Sequence, residues 1–292
     1  MARGTMKAII PCAGLGTRFL PFTKAVPKEL LPVVDTPVIH LIVEEALQAG
    51  IQSVVFITAR GKSALEDYFD YAPELEFELG SKGKKDLLEQ VQRIAGLVET
   101  IAVRQKKPLG LGHAVYCARH VVGEGPFAVI LGDDLVDAKK SAIGQLIEVH
   151  NRTGKSVVAL KEVPREDIHK FGIVSVGSHE GTTVEIEGVV EKPSAEEAPS
   201  NLAIVGRYVL NQSVMHALKD LEPHGSTGEI QLTDALEIEA RTNGLVGCLI
   251  EGERFDAGNR LEFVKAVFAY AIKRPDVGEP LIEFLRERLK NL

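Results

Sequence analysis

The sequence predicts an open, doubly wound α/β sheet, and three observations lead there. Short β-branched runs recur along the first two-thirds of the chain, amphipathic stretches of helical period separate them, and glycines stand where those helices must stop. The strand candidates are Lys7–Pro11 (KAIIP), Ser53–Thr58 (SVVFIT), Thr100–Arg104 (TIAVR), Phe127–Leu131 (FAVIL) and Ser156–Leu160 (SVVAL). They are continuously apolar instead of alternating, the pattern of buried parallel strands covered by helices on both faces. Helices are predicted over Val38–Ala49, Lys62–Phe69, Leu111–Arg119 and Ser141–Arg152, with Gly50 and Gly154 as C-terminal caps. Strand–helix alternation of this kind selects a mostly parallel sheet.

The segment Tyr71–Glu99 breaks the rhythm with polar, helix-prone sequence and reads as a surface excursion. Beyond residue 161 the texture becomes β-rich, with strand candidates Gly172–Val176, Thr182–Val190 and Ala203–Leu210. Helices follow at about Glu229–Arg241 and Asn259–Arg274. A last amphipathic helix, Pro280–Leu292, is expected to dock on the body or on a second subunit. No repeat, low-complexity tract or linker divides the chain, so a single domain is expected over 1–292.

Composition narrows the function classes. The chain has 292 residues, 34 Lys+Arg against 41 Asp+Glu, a formal charge of −7, 45% hydrophobic residues and no Trp. That composition excludes a disordered or membrane-spanning chain, and an acidic balance argues against a general nucleic-acid binder. The short polar leader Met1–Met6 lacks the features of a signal peptide, and a cytoplasmic location is expected. Cys12, Cys117 and Cys248 are too far apart for metal-ligand spacing and read as reduced thiols.

The charge is uneven. Residues 1–28 carry Arg3, Lys7, Arg18, Lys24 and Lys28 without an acid, and the stretch between Glu99 and Glu124 carries Arg104, Lys106, Lys107 and Arg119 likewise. Two purely basic segments in an acidic chain are either a chance fluctuation or sites for a small anion.

The first strand runs into Pro11-Cys12-Ala13-Gly14-Leu15-Gly16-Thr17-Arg18. Glycines there allow a tight turn and backbone N–H groups aimed at an anion. The dinucleotide fingerprint is absent, because Phe19 follows where its third glycine would come and no acid ends the second strand. No Gly-Lys-Ser/Thr follows to make a Walker loop. On the glycines alone, a plain strand-to-helix turn is the lesser alternative. Arg18 and Lys28, on a loop stiffened by Pro21, Pro27 and Pro32, favour a phosphate site.

The block Ala13-Gly14-Leu15-Gly16-Thr17-Arg18-Phe19-Leu20-Pro21, with Thr23-Lys24-Ala25-Val26-Pro27-Lys28-Glu29-Leu30-Leu31-Pro32, closely resembles the signature of the sugar-1-phosphate nucleotidylyltransferases. Shorter matches continue in chain order to Asp256-Ala257-Gly258-Asn259 and cover nearly the whole chain. The resemblance is greatest to the bacterial branch that joins UTP to glucose 1-phosphate.

The resemblance implies a Rossmann-like, mostly parallel sheet with helices on both faces and a smaller β-rich part for the sugar. The nucleotide part would span about 7–160, the sugar-phosphate part about 161–258, and C-terminal helices about 259–292. The glycine loop (Ala13, Gly14, Gly16, Thr17) and Glu29 would bind the nucleotide, with Arg18 and Lys28 acting catalytically on its phosphates. Gln105 would pair with the base, since an amide both donates and accepts, and Gly110 would let the base lie against backbone. Asp133 and Asp256 would hold Mg²⁺, which favours a few carboxylates plus phosphates. Gly172, Glu191, Lys192 and Gly206 would form the sugar-phosphate site, Lys192 also orienting the attacking phosphate. Asp134 reads as a turn or capping acid, and Arg207 has no assigned role.

The activity so implied is transfer of a uridylyl group from UTP to α-D-glucose 1-phosphate by an in-line, Mg²⁺-dependent displacement, in a cytoplasmic homo-oligomer without nucleic-acid or membrane partners. Use of dTTP or another sugar 1-phosphate, and a non-catalytic nucleotide-sugar-binding paralogue, are the alternatives.

Overall fold

The computed structural model describes residues 6–224 and 228–290. All of the expected leader except Met6, and the last two residues of the final predicted helix, lie outside the described residues. Thirteen strands are present among them: β1 (Lys7–Pro11), β2 (Pro32–Val33), β3 (Thr36–Pro37), β4 (Ser53–Thr58), β5 (Glu99–Arg104), β6 (Phe127–Ile130), β7 (Asp134–Asp137), β8 (Ser156–Glu162), β9 (Gly172–Glu180), β10 (Thr183–Glu191), β11 (Leu202–Leu210), β12 (Leu245–Leu249) and β13 (Glu253–Asp256). The helices are α1 (Val38–Gln48), α2 (Ser63–Asp67), α3 (Pro73–Ser81), α4 (Lys85–Ala95), α5 (Leu111–Cys117), α6 (Ala142–Thr153), α7 (Gln212–Asp220), α8 (Leu232–Thr242), α9 (Arg260–Ala271) and α10 (Gly278–Leu289).

Nine strands form one sheet in the order β5-β4-β1-β6-β11-β8-β12-β10-β9, in which only β11 and β10 run against the rest. Successive side chains on a strand face opposite ways, so the apolar runs feed two cores. Ile10 and Phe56 join Ile42 of α1 and Leu146 of α6 on one face. Ile9 and Val55 join Val115 of α5, Val214 of α7 and Leu236 of α8 on the other. All nine are fully buried, and each such side chain contributes about 1.5–3 kcal/mol of burial free energy.

One expectation needs correction. Thr100–Arg104 is not doubly buried: β5 is an edge strand, and only Ile101 and Val103 turn toward a core. The β-rich stretch after residue 161 joins the same sheet: β11 enters between β6 and β8, and β12 pairs in parallel with β8. Gly154 caps α6 at φ 68° as the sequence implied. The polar excursion folds as α3 and α4.

Because β1 lies between β4 and β6, the chain order reverses at its carboxyl end, where open α/β sheets bind ligands. The glycine loop leaves β1 there, and the ribbon of β7 and β13 projects from the end of neighbouring β6.

Candidate active site

A cleft of about 550 Å³ opens at that end of the sheet and brings together Arg18, Lys28, Asp133, Glu191, Lys192 and Asp256, which lie far apart in the chain. Gly110, Gly172 and Gly206 also line it. No helix among the described residues is long and apolar enough to cross a membrane.

Three acids in this cleft each face a cation. Lys28 Nζ donates to Asp133 Oδ2. Arg254 Nη2 lies 2.9 Å from Asp134 Oδ2, and Arg18 Nη1 lies 4.0 Å from Asp256 Oδ2. Burial works against ionisation of Asp133, but the Lys28 ammonium, its hydrogen bond and the more distant Arg18 outweigh it and hold the carboxyl below the usual range. For Lys28, burial disfavours the charge, while Asp133 more than compensates and pushes the ammonium pKa up.

Antiparallel pairing of β7 with β13 sets Asp256 opposite Asp134, one residue from Asp133. A Cβ built on Gly258 would lie 2.9 Å from Asp133 Oδ2 and 2.9 Å from Asp256 Oδ1, so the two oxygens are separated by at most twice that distance. Two converging carboxylate oxygens, next to cations suited to phosphates, fit the oxygen preference of Mg²⁺ and its habit of taking few protein ligands. No larger cluster of metal-ligating side chains occurs among the described residues.

The glycine loop borders this centre. Gly16 adopts φ 65°, and its carbonyl accepts a hydrogen bond from Thr23 Oγ1 at 2.7 Å. A Cβ on Gly14 would approach Lys28 Nζ to 3.7 Å, so the loop runs over the lysine. Ala13, Gly14, Gly16 and Thr17 lie beside the cleft without lining it. Glu29 is also outside it: 1% exposed, the carboxylate pairs with Lys62 at 2.7 Å, and Oε1 has no partner. Cys12 is fully buried close by, a free thiol that fills space.

Gln105 is buried beneath the second basic stretch, where its Nε2 donates to the Gly110 carbonyl at 3.1 Å. Gly110, at φ 93°, has no room for a Cβ, which would lie 2.7 Å from the Ile230 carbonyl. Its glycine is thus needed for contact with the 229–231 segment.

In the sugar half, Thr233 donates to Glu191 Oε2 at 2.9 Å and Lys192 Nζ lies 3.2 Å from Glu191 Oε1. Lys192 has φ 45°, uncommon for a side-chain-bearing residue, and its N–H is tied to the Phe171 carbonyl at 3.0 Å. A Cβ on Gly172 would meet Thr233 at 2.7 Å. At Gly206 the corresponding space holds the Asp134 carboxylate, so this glycine makes room for Asp134 and its missing side chain is not open to a ligand.

Sequence reasoning missed a second layer. Asp134 is a buried ion-pair partner of Arg254, not a turn acid. Arg207, fully buried, gives two bonds to Glu45, at 2.9 and 2.6 Å, and one to the Asp134 carbonyl at 2.6 Å. Thr233 and Arg254 also line the cleft. Only the fully apolar surroundings of Arg207 in Ala203–Leu210 hinted at a buried charge.

The model of the nucleotidyl transferase family matches residues 7–271. The chain is 47% identical to the UTP–glucose-1-phosphate uridylyltransferase YngB of Bacillus subtilis, over 99% of this chain and 97% of that protein. A solved structure described as UTP-bound UGPase from Acinetobacter baumannii superposes with a TM-score of 0.89 at 41% identity, covering 97% of this chain and 99% of that one. A UDP-glucose pyrophosphorylase complexed with UDP-glucose gives 0.84 at 39% identity, covering 92% and 100%. With the family match running from β1 through α9, and relatives at 47% identity over nearly the full length, the chain belongs to the nucleotidyl transferase family.

Proposed function

We propose that the chain transfers the uridylyl group of UTP to α-D-glucose 1-phosphate, giving UDP-glucose and pyrophosphate. The observation that carries this reading is the meeting of Lys28 and Asp133 with Glu191 and Lys192 in one cleft. Identity of 47% over nearly full length to proteins named for that activity supports UTP and glucose 1-phosphate as the pair.

A phosphate oxygen of the sugar 1-phosphate attacks the α-phosphorus of UTP in line. The new O–P bond forms as the bond from the α-phosphorus to the pyrophosphate oxygen breaks. The attacking phosphate is already anionic near neutral pH, so no general base is needed, and catalysis is positioning and charge neutralisation. The glycine loop, Glu29, Gln105 and Gly110 serve the nucleotide, Glu29 from its buried pair with Lys62. Arg18 and Lys28 balance charge on the triphosphate. Glu191 accepts hydrogen bonds from sugar hydroxyls and Lys192 orients the attacking phosphate. Asp133 and Asp256 would hold Mg²⁺, which when bound neutralises phosphate oxygens. Lys28 pairs with Asp133 in the structure, so its ammonium stands beside the carboxylate that would hold the ion and within the cleft that would take the triphosphate.

The division into nucleotide part, sugar part and C-terminal helices belongs to the same reading, as do a cytoplasmic location and a homo-oligomer. Leu261, Val264 and Phe268 form an exposed apolar stripe on α9 that supports subunit contact there. Pyrophosphate release is measured with UTP or dTTP against glucose or galactose 1-phosphate, with and without Mg²⁺. Release is expected only from UTP, glucose 1-phosphate and Mg²⁺ together. Faster release from another pair reassigns the substrates, and none from any pair overturns the proposal.

A further inference from the structure

Arg254 stands two residues before Asp256, on the face of the β7–β13 ribbon that also carries Asp134 and Asp256. Its Nε donates to Asp134 Oδ2 at 3.0 Å, and Nη2 lies 2.9 Å from the same oxygen. The guanidinium carbon sits 5.3 Å from the centre of the Phe171 ring. Two different anchors, a buried carboxylate and an aromatic face, therefore hold one cation at the wall of the cleft.

That wall adjoins the sugar-phosphate lysine, since the Phe171 carbonyl accepts the Lys192 N–H. A guanidinium offers five donors, and Asp134 engages only its Nε–Nη2 edge. Nη1 has no protein hydrogen-bond partner among the described residues. The side chain is 21% exposed, against 4% for Asp134, so the acid is the hidden member of the pair and the cation the one that faces the cleft.

We infer that Arg254 is a phosphate-binding residue of the sugar 1-phosphate site, and that Asp134 is the positioning residue that aims it. The inference rests on the proposed uridylyl transfer. A fork already fixed by Asp134 and Phe171 loses little freedom on meeting a phosphate, and charge-assisted hydrogen bonds to phosphate are among the strong ones. Gly206 serves the same arrangement, because a Cβ there would occupy the place of the Asp134 carboxylate.

The test compares Arg254→Gln, Arg254→Lys, Asp134→Asn and the double variant Arg254→Gln/Asp134→Asn with the wild-type enzyme. UDP-glucose formation gives the KM for glucose 1-phosphate, and titration calorimetry gives the Kd for UTP alone. Arg254→Gln is expected to raise that KM on the order of ten- to a hundredfold, the loss of one charge-assisted contact, with UTP affinity unchanged. Arg254→Lys recovers part of the loss, and Asp134→Asn causes a smaller rise in the same constant.

The double variant decides the matter, since it removes both charges and leaves no unpaired buried acid. Persistence of the high KM in it supports phosphate binding. Recovery of the wild-type KM overturns it, because Arg254 would then only neutralise Asp134. Should Arg254→Gln not fold, the charge-balanced double variant and Arg254→Lys still give the comparison. Absence of UDP-glucose from the wild-type protein would be a failure of the uridylyl-transfer reading, which the variant ratios cannot mimic.

Discussion

Asp256 stands directly opposite Asp134 in the β7–β13 ribbon, so strand register places two carboxylates side by side, with Asp133 next to them. Like charges opposite one another repel. The site tolerates the arrangement because Arg254, Lys28 and Arg18 each face one of the three acids. Of these acids Asp134 is the buried one, while Asp133 and Asp256 keep 28% and 36% of their side-chain surface exposed and can change partners.

Gly258→Ala tests the convergence of Asp133 and Asp256. Gly258 lies outside the left-handed region, so alanine suits its backbone, but the new methyl would come within 2.9 Å of both carboxylate oxygens. A fall in kcat of about 10²-fold is expected, the usual cost of misplacing reacting groups, with the thermal midpoint close to wild type. Steady-state kinetics at saturating substrates check it, and a retained kcat would remove these oxygens from the reaction.

Arg18 and Lys192 should separate into two kinetic phenotypes. Arg18→Ala is expected to lower kcat on the order of 10²–10³, by analogy with loss of a donor to developing charge. Unchanged turnover would end that assignment. Lys192→Ala should act chiefly on the KM for glucose 1-phosphate, and an effect confined to UTP would count against its place in the sugar half.

The pair of Arg207 with Glu45 is structural. Glu45 also accepts the Ile143 N–H at 2.9 Å, so one carboxylate ties α1 to both α6 and β11. Arg207→Met leaves that carboxylate buried without its cation and should cost about 3–5 kcal/mol. Urea denaturation measures the loss, and a change below about 1 kcal/mol would show that the surroundings repack around the neutral side chain.

Acid titration should report the Lys28–Asp133 contact. A carboxyl held below its unfolded pKa adds stability above that unfolded value, and the contribution disappears as pH falls through the folded value. Lys28 is raised, so its share is complete below its unfolded pKa and is lost only as pH rises through the folded one. The difference in thermal midpoint between wild type and Lys28→Ala should therefore be largest near neutral pH and shrink in acid as Asp133 protonates. A difference independent of pH would exclude an ionised pair as its source.

The central strands were legible because continuously apolar, β-branched runs of five or six residues suit strands covered by helices on both faces, and β1, β4 and β8 begin where the pattern begins. β5 misled because Thr100–Arg104 is as apolar as a buried strand, and its edge position depends on sheet order. The short ribbon partners β7 and β13 have four residues each, too few for periodicity to register.

For the site, residue chemistry at short spacing marked the glycine loop with Arg18 and Lys28 as suited to phosphate. Asp133, Asp256 and the Glu191–Lys192 pair were marked only by their order along the chain, through the family resemblance, because single acids and a Glu–Lys dipeptide carry no local signal of their own. Tertiary structure alone decided that Arg254 faces Asp134 across 120 residues, that Arg207 reaches Glu45 across 162, and that Thr233 holds Glu191 across 42. Such partners are set by strand order and register, which bring distant side chains to one face, and a pattern confined to neighbouring residues contains neither.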